Sequence, residues 1–229
     1  MSRRALYCFT VSRPVVYRSA LSRPALPRPV VPSVDEAGHA NTPDGHAHAR
    51  LRQATRARHA ALDALLRESE LTRHAGYVRY LRMNEACAAI EPALTQAGIH
   101  RLLPDWDQRQ RRFALARDLK SMGLSPGPVA VPELAPDTGT LFGWSYVLEG
   151  SRLGAAMIAR MIEAEGDPGP RAAMEFLRHG AGMPLWAGFR SALSRIDRDP
   201  DAIGNACAAA LAAFACFLAH ARENDAAAP

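Results

Sequence analysis

Apolar residues recur at helical spacing from residue 51 almost to the C-terminus, and the alternating pattern of strands is absent from the sequence. A loop with four prolines and one glycine, residues 125–136, interrupts the pattern. The pattern therefore predicts an all-α single domain built as a helical sandwich. The predicted helices are 51–69, 74–97 with a disturbance at Pro92, 106–122, one helix around residues 141–158, 171–179, 185–196 and 201–223.

The first 50 residues differ from the rest in composition. Residues 1–34 hold six arginines, several prolines and no acid, which predicts a disordered extension and linker over 1–50 and a helical domain over 51–225. Without these six charges the formal net charge of +5 becomes −1, so a nucleic-acid surface is not expected. No run of about 18 apolar residues was found, so no membrane span is expected. Four cysteines without framework spacing favour the cytoplasm.

The predicted helix around residues 141–158 carries three glycines in its interior. Each costs roughly 0.5–1 kcal/mol relative to alanine, so together they need a reason. At about 100° per residue, Gly143, Gly150 and Gly154 lie nearly on one line along the helix, with Val147 between them. Such a stripe suits either a closely packed partner helix or a planar ligand.

A histidine on the first predicted helix is a candidate metal ligand. His59 lies at the edge of the apolar side, and Asp63, one turn later, could accept its Nδ1 proton and leave Nε2 for a metal. Arg52 lies two turns earlier on nearly the same line. An imidazole, a flanking arginine and an open glycine face are the parts needed to hold a haem.

Three segments resemble the bacterial haem oxygenases, particularly the type associated with bacteriophytochromes. The resemblance runs in the same order along the chain from Leu51 to Arg222. The segments are Leu-Arg-x-Ala-Thr-Arg-x-x-His59-x-x-Leu-Asp63, Tyr146-Val-Leu-Glu-Gly150-Ser-Arg-Leu-Gly154 and Trp186-Ala-Gly-Phe189-Arg190-x-x-Leu193.

The resemblance implies roles for residues on the predicted first helix and near residue 190. His59 becomes the proximal ligand of the haem iron, and Asp63 orients its ring. Arg52 and Arg190 become the cations that meet the haem propionates.

The resemblance also implies a kinked distal helix whose glycines pack over the haem face. Gly150 and Gly154 match those glycines, and Gly143 lies on the same stripe. Animal members place an aspartate just after the first distal glycine, where this chain has Ser151. The water network over the iron would then rely on Ser151 and backbone groups.

The implied activity is cleavage of haem to biliverdin, carbon monoxide and ferrous iron. It uses dioxygen and electrons from an external reductase or ferredoxin, so the implied partners are an electron-donor protein and, as acceptor of the biliverdin, a bacteriophytochrome. Whether the biliverdin serves a photoreceptor or iron supply stays open. The alternatives are a non-catalytic haem carrier or sensor, another small-molecule binder of this fold, and a thiamin-cleaving enzyme, for which Cys87 and Cys207 have no evident partner.

Other residues have competing interpretations. His74, His100, His179 and His220 are alternative haem ligands, but none shares the His59 pattern of a carboxylate four residues later in the matching segment. A thiolate-ligated haem is a further alternative. Five aromatic residues are expected mainly in the core: Trp144, Trp186, Phe189, Phe214 and Phe217.

Overall fold

A computed structural model describes residues 45–127 and 132–226, and within these ranges the chain is helical without strands. The predicted all-α class is confirmed. Two short 3-10 segments, Ile99–Arg101 and Ser194–Ile196, accompany the α-helices. The α-helices are α1 His46–Glu68, α2 His74–Met83, α3 Ala86–Gln96, α4 Trp106–Arg109, α5 Arg112–Ser121, α6 Thr138–Glu165, α7 Pro168–Ala172, α8 Glu175–Arg178, α9 Leu185–Leu193 and α10 Pro200–Ala226.

Helix α10 lies at the centre of the fold, where its most extensive interface is with α6 and further interfaces join it to α1 and α2. The close approach of α6 and α10 depends on glycine. A Cβ at Gly143 would lie 2.2 Å from the Ala206 carbonyl oxygen and 2.7 Å from the Ala209 Cβ. Gly143 therefore allows two helices to pack closely. The expectation that Gly143 faces a bound ligand is wrong.

The first helix begins five residues earlier than predicted. The Ala47 N–H donates to the Asp197 carboxylate over 2.8 Å, and Ala47 is fully buried beside Leu51. Residues 46–50 therefore belong to the folded domain, because a contact 150 residues away in sequence anchors them. The disorder predicted for residues 1–44 lies outside the described residues.

Two long predicted helices are each divided in the structure. The break between α2 and α3 lies at Asn84, whose Nδ2 donates to the Tyr80 carbonyl oxygen over 2.7 Å, while Pro92 lies inside α3. The break between α4 and α5 is made by Glu91, whose carboxylate accepts the N–H groups of Arg111 and Arg112 at 2.8 and 2.9 Å. A buried carboxylate thus starts α5, which periodicity could not predict.

The predicted helix over 171–179 is replaced by the two short helices α7 and α8. The buried Asp118 carboxylate accepts the N–H groups of Glu175 and Phe176 at 3.0 and 2.8 Å, and so starts α8. Burial raises the pKa of both Glu91 and Asp118.

Over Pro200–Ala221, α10 has the length and apolarity of a membrane-crossing helix, contrary to the expectation from the sequence. This is weak evidence for a membrane, because the core helix of a soluble protein has the same properties. The interfaces of α10 with α6, α1 and α2 account for much of its apolar composition.

Candidate functional site

A cavity of about 410 Å³, including space open to solvent, lies between α1, α2, α6 and α10. Its walls are mostly apolar, and they are formed by Leu62, Leu66, Met83, Val147, Phe214 and Phe217. The polar groups on the walls are His59, Tyr80, Asn84 and Ser151.

His59 contributes an imidazole to the α1 wall. The Phe214 ring packs against it in a T-shaped arrangement, with ring centroids 4.5 Å apart and an interplanar angle of 67°. Burial lowers the pKa of His59 from 6.5 to about 4. The ring is therefore neutral at pH 7, which is the state that binds a metal ion. Asp63 is buried one turn later, and its role in orienting the imidazole stays a prediction.

Ser151 contributes the polar group of the α6 wall, and a buried arginine holds its hydroxyl. The hydroxyl donates to the Leu148 carbonyl oxygen over 2.8 Å and accepts from Nη2 of Arg111 over 2.6 Å. The same Nη2 donates to the Leu148 oxygen over 2.9 Å, and the guanidinium lies 4.6 Å from the centroid of the Phe176 ring. A positive charge is therefore fixed directly behind Ser151.

Arg111 also keeps unused donor capacity. Among the described residues, its Nε is buried without a hydrogen-bond partner. Buried donors of this kind commonly bind a water molecule or a ligand group. The sequence gives no signal for this arginine, because it lies in a basic run, residues 109–112, outside any apolar pattern.

Gly150, later on α6, differs from Gly143 in its surroundings. A Cβ at Gly150 would meet the Trp186 ring at 3.9 Å, an ordinary contact distance. Gly154 follows one turn later and is buried. Trp186 stacks on Phe189 at a centroid distance of 5.6 Å, so an aromatic surface lies beside the Gly150 backbone.

Arg52 and Arg190 lie on different helices of the same region. Arg52 is exposed on α1, two turns before His59, and Arg190 is half-buried on α9, which packs against both α1 and α6. Neither guanidinium is among the groups that line the cavity in the described residues.

The alternative histidines lie elsewhere. His74 and His100 are exposed, and His100 lies 3.1 Å from the Asp107 carboxylate. His179 contacts the Arg152 guanidinium at 3.3 Å, and Nδ1 of His220 lies 2.9 Å from a carbonyl oxygen of its own helix. Within the described part of the chain, His59 is the histidine that lines the cavity.

The cysteines are poor thiolate ligands. Cys87 is fully buried, and burial raises the pKa of its thiol to about 12. Burial also raises the pKa of Cys207 and Cys216. These thiols stay protonated at pH 7, while Cys8 lies outside the described residues.

A buried ionic network fixes the turn of α6 that carries Ser151. Glu149 accepts from Arg109 over 2.8 Å and from Arg152 over 3.1 Å. Arg109 also bonds Asp105 at 2.7 Å and the Leu185 carbonyl oxygen at 3.0 Å. Arg152 donates to the Arg109 carbonyl oxygen and so makes a contact between α6 and α4. The network joins α4, α6 and the start of α9.

Tyr80 and Asn84 are two further polar groups of the cavity, and the sequence alone does not predict them. Burial raises the pKa of Tyr80, so its phenol stays protonated. Asn84 bonds the Tyr80 carbonyl oxygen at the end of α2. The two residues are four apart, which places them on one side of a helix, but many pairs of surface residues have the same spacing, so the spacing does not identify a cavity.

Comparisons with known proteins agree on one family. A family model described as heme oxygenase matches residues 131–223. The chain is 35% identical over 122 residues to a heme oxygenase of Xanthomonas campestris pv. campestris (strain 8004), an alignment that covers 51% of this chain and 73% of that protein. It also matches the structure of the NO- and CO-bound heme oxygenase from Neisseria meningitidis, with a TM-score of 0.66 and 25% identity over 78% of this chain and 91% of that one. This chain, with an imidazole and a glycine-bearing helix on two walls of one cavity, belongs to the haem oxygenase family.

Proposed function

We propose that this haem oxygenase binds its substrate haem in the cavity between α1, α2, α6 and α10, with the His59 imidazole as the axial ligand of the iron. One observation carries the proposal: among the residues that the structure describes, His59 is the histidine on the cavity wall, and burial keeps it neutral. The apolar side chains of the other walls suit a macrocycle, which packs against hydrocarbon and aromatic groups.

The distal side of the bound haem would be α6. Val147 and Ser151 are its described contributions to the cavity wall, and Gly150 and Gly154, which are not among the residues lining the cavity, lie close to them along the same helix. The Ser151 hydroxyl, held by Arg111, can orient water there, and it stands where animal members have an aspartate. Because the Arg111 charge is buried, its field acts on the cavity with little screening by solvent.

Arg52 and Arg190 are proposed to meet the haem propionates at the edge of the site. Charge-assisted pairs of this kind contribute about 1.5–3 kcal/mol when partly desolvated. Losing one would allow a rotated haem to compete, since about 1.4 kcal/mol is a tenfold change in population. Arg52→Ala and Arg190→Ala should therefore give mixed biliverdin isomers if these arginines fix the orientation.

The chemistry of the family is the cleavage of haem with dioxygen and reducing equivalents. Bound haem supplies the iron at which dioxygen reacts, and the protein supplies the ligand, the crowded backbone and the polar groups. The products we propose are biliverdin, carbon monoxide and ferrous iron, with the electrons delivered by an external reductase or ferredoxin. That a bacteriophytochrome accepts the biliverdin, and that the protein is cytoplasmic, stay predictions from the sequence.

The test is the absorption spectrum of the protein with hemin, followed by ascorbate under air. We expect the Soret band to decay and broad red absorption to appear. His59→Ala should abolish the ligated ferric spectrum and turnover, with partial rescue by imidazole. The control His100→Ala, at an exposed site, should behave as the unaltered protein.

Two outcomes would contradict the proposal. A Soret band that survives ascorbate and oxygen would indicate a haem carrier rather than an oxygenase. An unchanged ferric spectrum in His59→Ala would show that another residue ligates the iron.

A further inference from the structure

The hydroxyl of Ser151 uses its hydrogen within its own helix. A serine hydroxyl has one hydrogen to donate and two lone pairs that accept. The hydrogen is donated to the Leu148 carbonyl oxygen over 2.8 Å, and one lone pair accepts from Nη2 of Arg111 over 2.6 Å. Because Ser151 also lines the cavity, the second lone pair is what it has left for a bound group. The α6 wall therefore presents a hydrogen-bond acceptor to the cavity.

Arg111 holds the hydroxyl in this orientation. Its Nη2 donates both to Oγ of Ser151 and to the Leu148 carbonyl oxygen, the latter over 2.9 Å. A guanidinium nitrogen donates and does not accept, so the hydroxyl keeps a lone pair, and not its hydrogen, toward Arg111. The side chain of Arg111 is 1% exposed, and its guanidinium lies 4.6 Å from the centroid of the Phe176 ring. Packing therefore fixes the donor that fixes the hydroxyl.

The positive charge of Arg111 has no close counterion. None of the ion pairs in the described part of the chain includes its guanidinium. The Glu149 carboxylate is already paired with two other arginines. Glu91 and Asp118 accept backbone N–H groups, and burial raises the pKa of both, which weakens their negative charge. A buried charge of this kind acts over several ångströms, because little solvent screens it.

The acceptor and the charge together select one kind of ligand. The positive charge favours an anion, and the lone pair of Ser151 favours a group that donates a hydrogen. The other polar groups on the wall, His59, Tyr80 and Asn84, are uncharged at pH 7. On the basis of the proposed function, we propose that Ser151 and Arg111 form a subsite for a small anion that carries a hydrogen, such as hydroxide, on the α6 side of the haem. Ser151 contacts the anion, and Arg111 is a positioning residue.

The experiment compares three small ligands of the hemin complex. Hydroxide is an anion with a hydrogen, azide is an anion without one, and carbon monoxide, which binds the reduced complex, is uncharged. The pH midpoint of the acid-to-alkaline spectral transition measures the affinity for hydroxide, and titration measures the other two. The variants are Arg111→Met and Ser151→Ala. The matched control, Lys120→Met, removes one positive charge from an exposed position of α5.

The two variants should give different patterns. In Arg111→Met we expect the midpoint to rise by about one pH unit and the Kd for azide to rise about tenfold, because both anions lose the attraction of a nearby cation. In Ser151→Ala the midpoint should rise while the Kd for azide stays the same or falls, because azide has no hydrogen to donate to Oγ. Carbon monoxide affinity should stay near that of the unaltered protein in both variants. Arg111→Lys keeps the charge and should keep the azide affinity.

Three results would overturn the inference while a Soret band that depends on His59 still supports the proposed function. The first is equal midpoints and azide constants in Arg111→Met and Lys120→Met. The second is an equal loss of all three ligands in Arg111→Met, which would show a structural role only. The third is a Ser151→Ala protein that loses azide as strongly as hydroxide, since the hydroxyl would then rotate and donate.

Two further results complete the test. If Arg111→Met does not fold, Arg111→Lys and Ser151→Ala decide, because neither removes the buried charge. A hemin spectrum that does not depend on His59 would contradict the proposed function, and the subsite would fall with it.

Discussion

At the scale of single residues, the site depends on two polar groups placed in apolar surroundings. His59 is kept neutral because burial among Leu62, Leu66 and Phe214 disfavours the imidazolium. Ser151 is held by Arg111, whose charge is fixed by the Leu148 carbonyl oxygen and the Phe176 ring. The two walls of the cavity therefore differ chemically, with a Lewis base on α1 and hydrogen-bonding groups on α6.

The lowered pKa of His59 predicts a pH dependence of stability for the ligand-free protein. In the unfolded chain the imidazole binds a proton near pH 6.5, whereas in the folded protein it does so only near pH 4. The unfolded state therefore holds the extra proton between these values, and the free energy of unfolding falls as pH falls from about 6.5 to 4. The loss attributable to His59 is at most about 3 kcal/mol.

Urea unfolding of the ligand-free protein at pH 7.5 and 4.5 measures this loss. His59→Gln, which cannot titrate, should lose less stability than the unaltered protein over the same interval. His179 has a similarly lowered pKa, but it is present in both proteins and cancels in the comparison. Identical pH dependence in the two proteins would show that His59 is hydrated and titrates normally.

At the scale of elements, the glycines of α6 divide between two neighbours. Gly139 and Gly143 allow α10 to approach, because a Cβ on either would lie within 2.3 Å of an α10 carbonyl oxygen. Gly150 has no such neighbour, and its nearest contact is the Trp186 ring at 3.9 Å. One helix therefore uses the same residue type first to pack against α10 and then beside the Trp186 ring.

Matched substitutions on α6 should separate these two roles. Gly143→Ala forces α10 away and should cost at least about 1–3 kcal/mol of unfolding free energy, as overpacking does. Gly150→Ala should be neutral or stabilising by up to about 1 kcal/mol, because alanine is the better helix former. Thermal unfolding of both variants measures the difference.

Gly150→Leu should retain the stability of the protein while haem affinity or turnover falls. Unaltered turnover in this variant would show that Gly150 is not part of the site.

At the scale of the whole molecule, contacts distant in sequence hold the cavity walls together. The Ala47 N–H bond to Asp197 ties the start of α1 to the turn before α10. The Glu149 carboxylate joins α6 to α4 through Arg109, which also reaches the start of α9. The helices that carry His59 and Ser151 are therefore anchored at points outside the cavity.

Two N-terminal truncations should locate the boundary of the folded domain. Removal of residues 1–44 should leave the melting temperature and hemin binding unchanged, because α1 keeps its Asp197 contact. Removal of residues 1–50 deletes the buried Ala47 and that hydrogen bond, and should lower the melting temperature by several degrees for a loss of about 1–2 kcal/mol. Equal melting temperatures of the two truncated proteins would show that the folded domain begins at residue 51. Asp197→Ala in the full chain should reproduce part of the larger loss.

The sequence by itself determined the helical class, the placement of His59 on the first helix and the presence of a glycine-bearing helix later in the chain. Local spacing suffices for these, because side-chain direction along a helix follows from its period. Only the tertiary structure decided that Gly143 meets α10, that Phe214 and Phe217 line a cavity as well as filling a core, and that Arg111 stands behind Ser151. It also decided where helices break, since Glu91 and Asp118 start α5 and α8 from a distance. The helical period determines on which side of its own helix a residue lies, but the packing of the whole chain determines which neighbour that residue contacts.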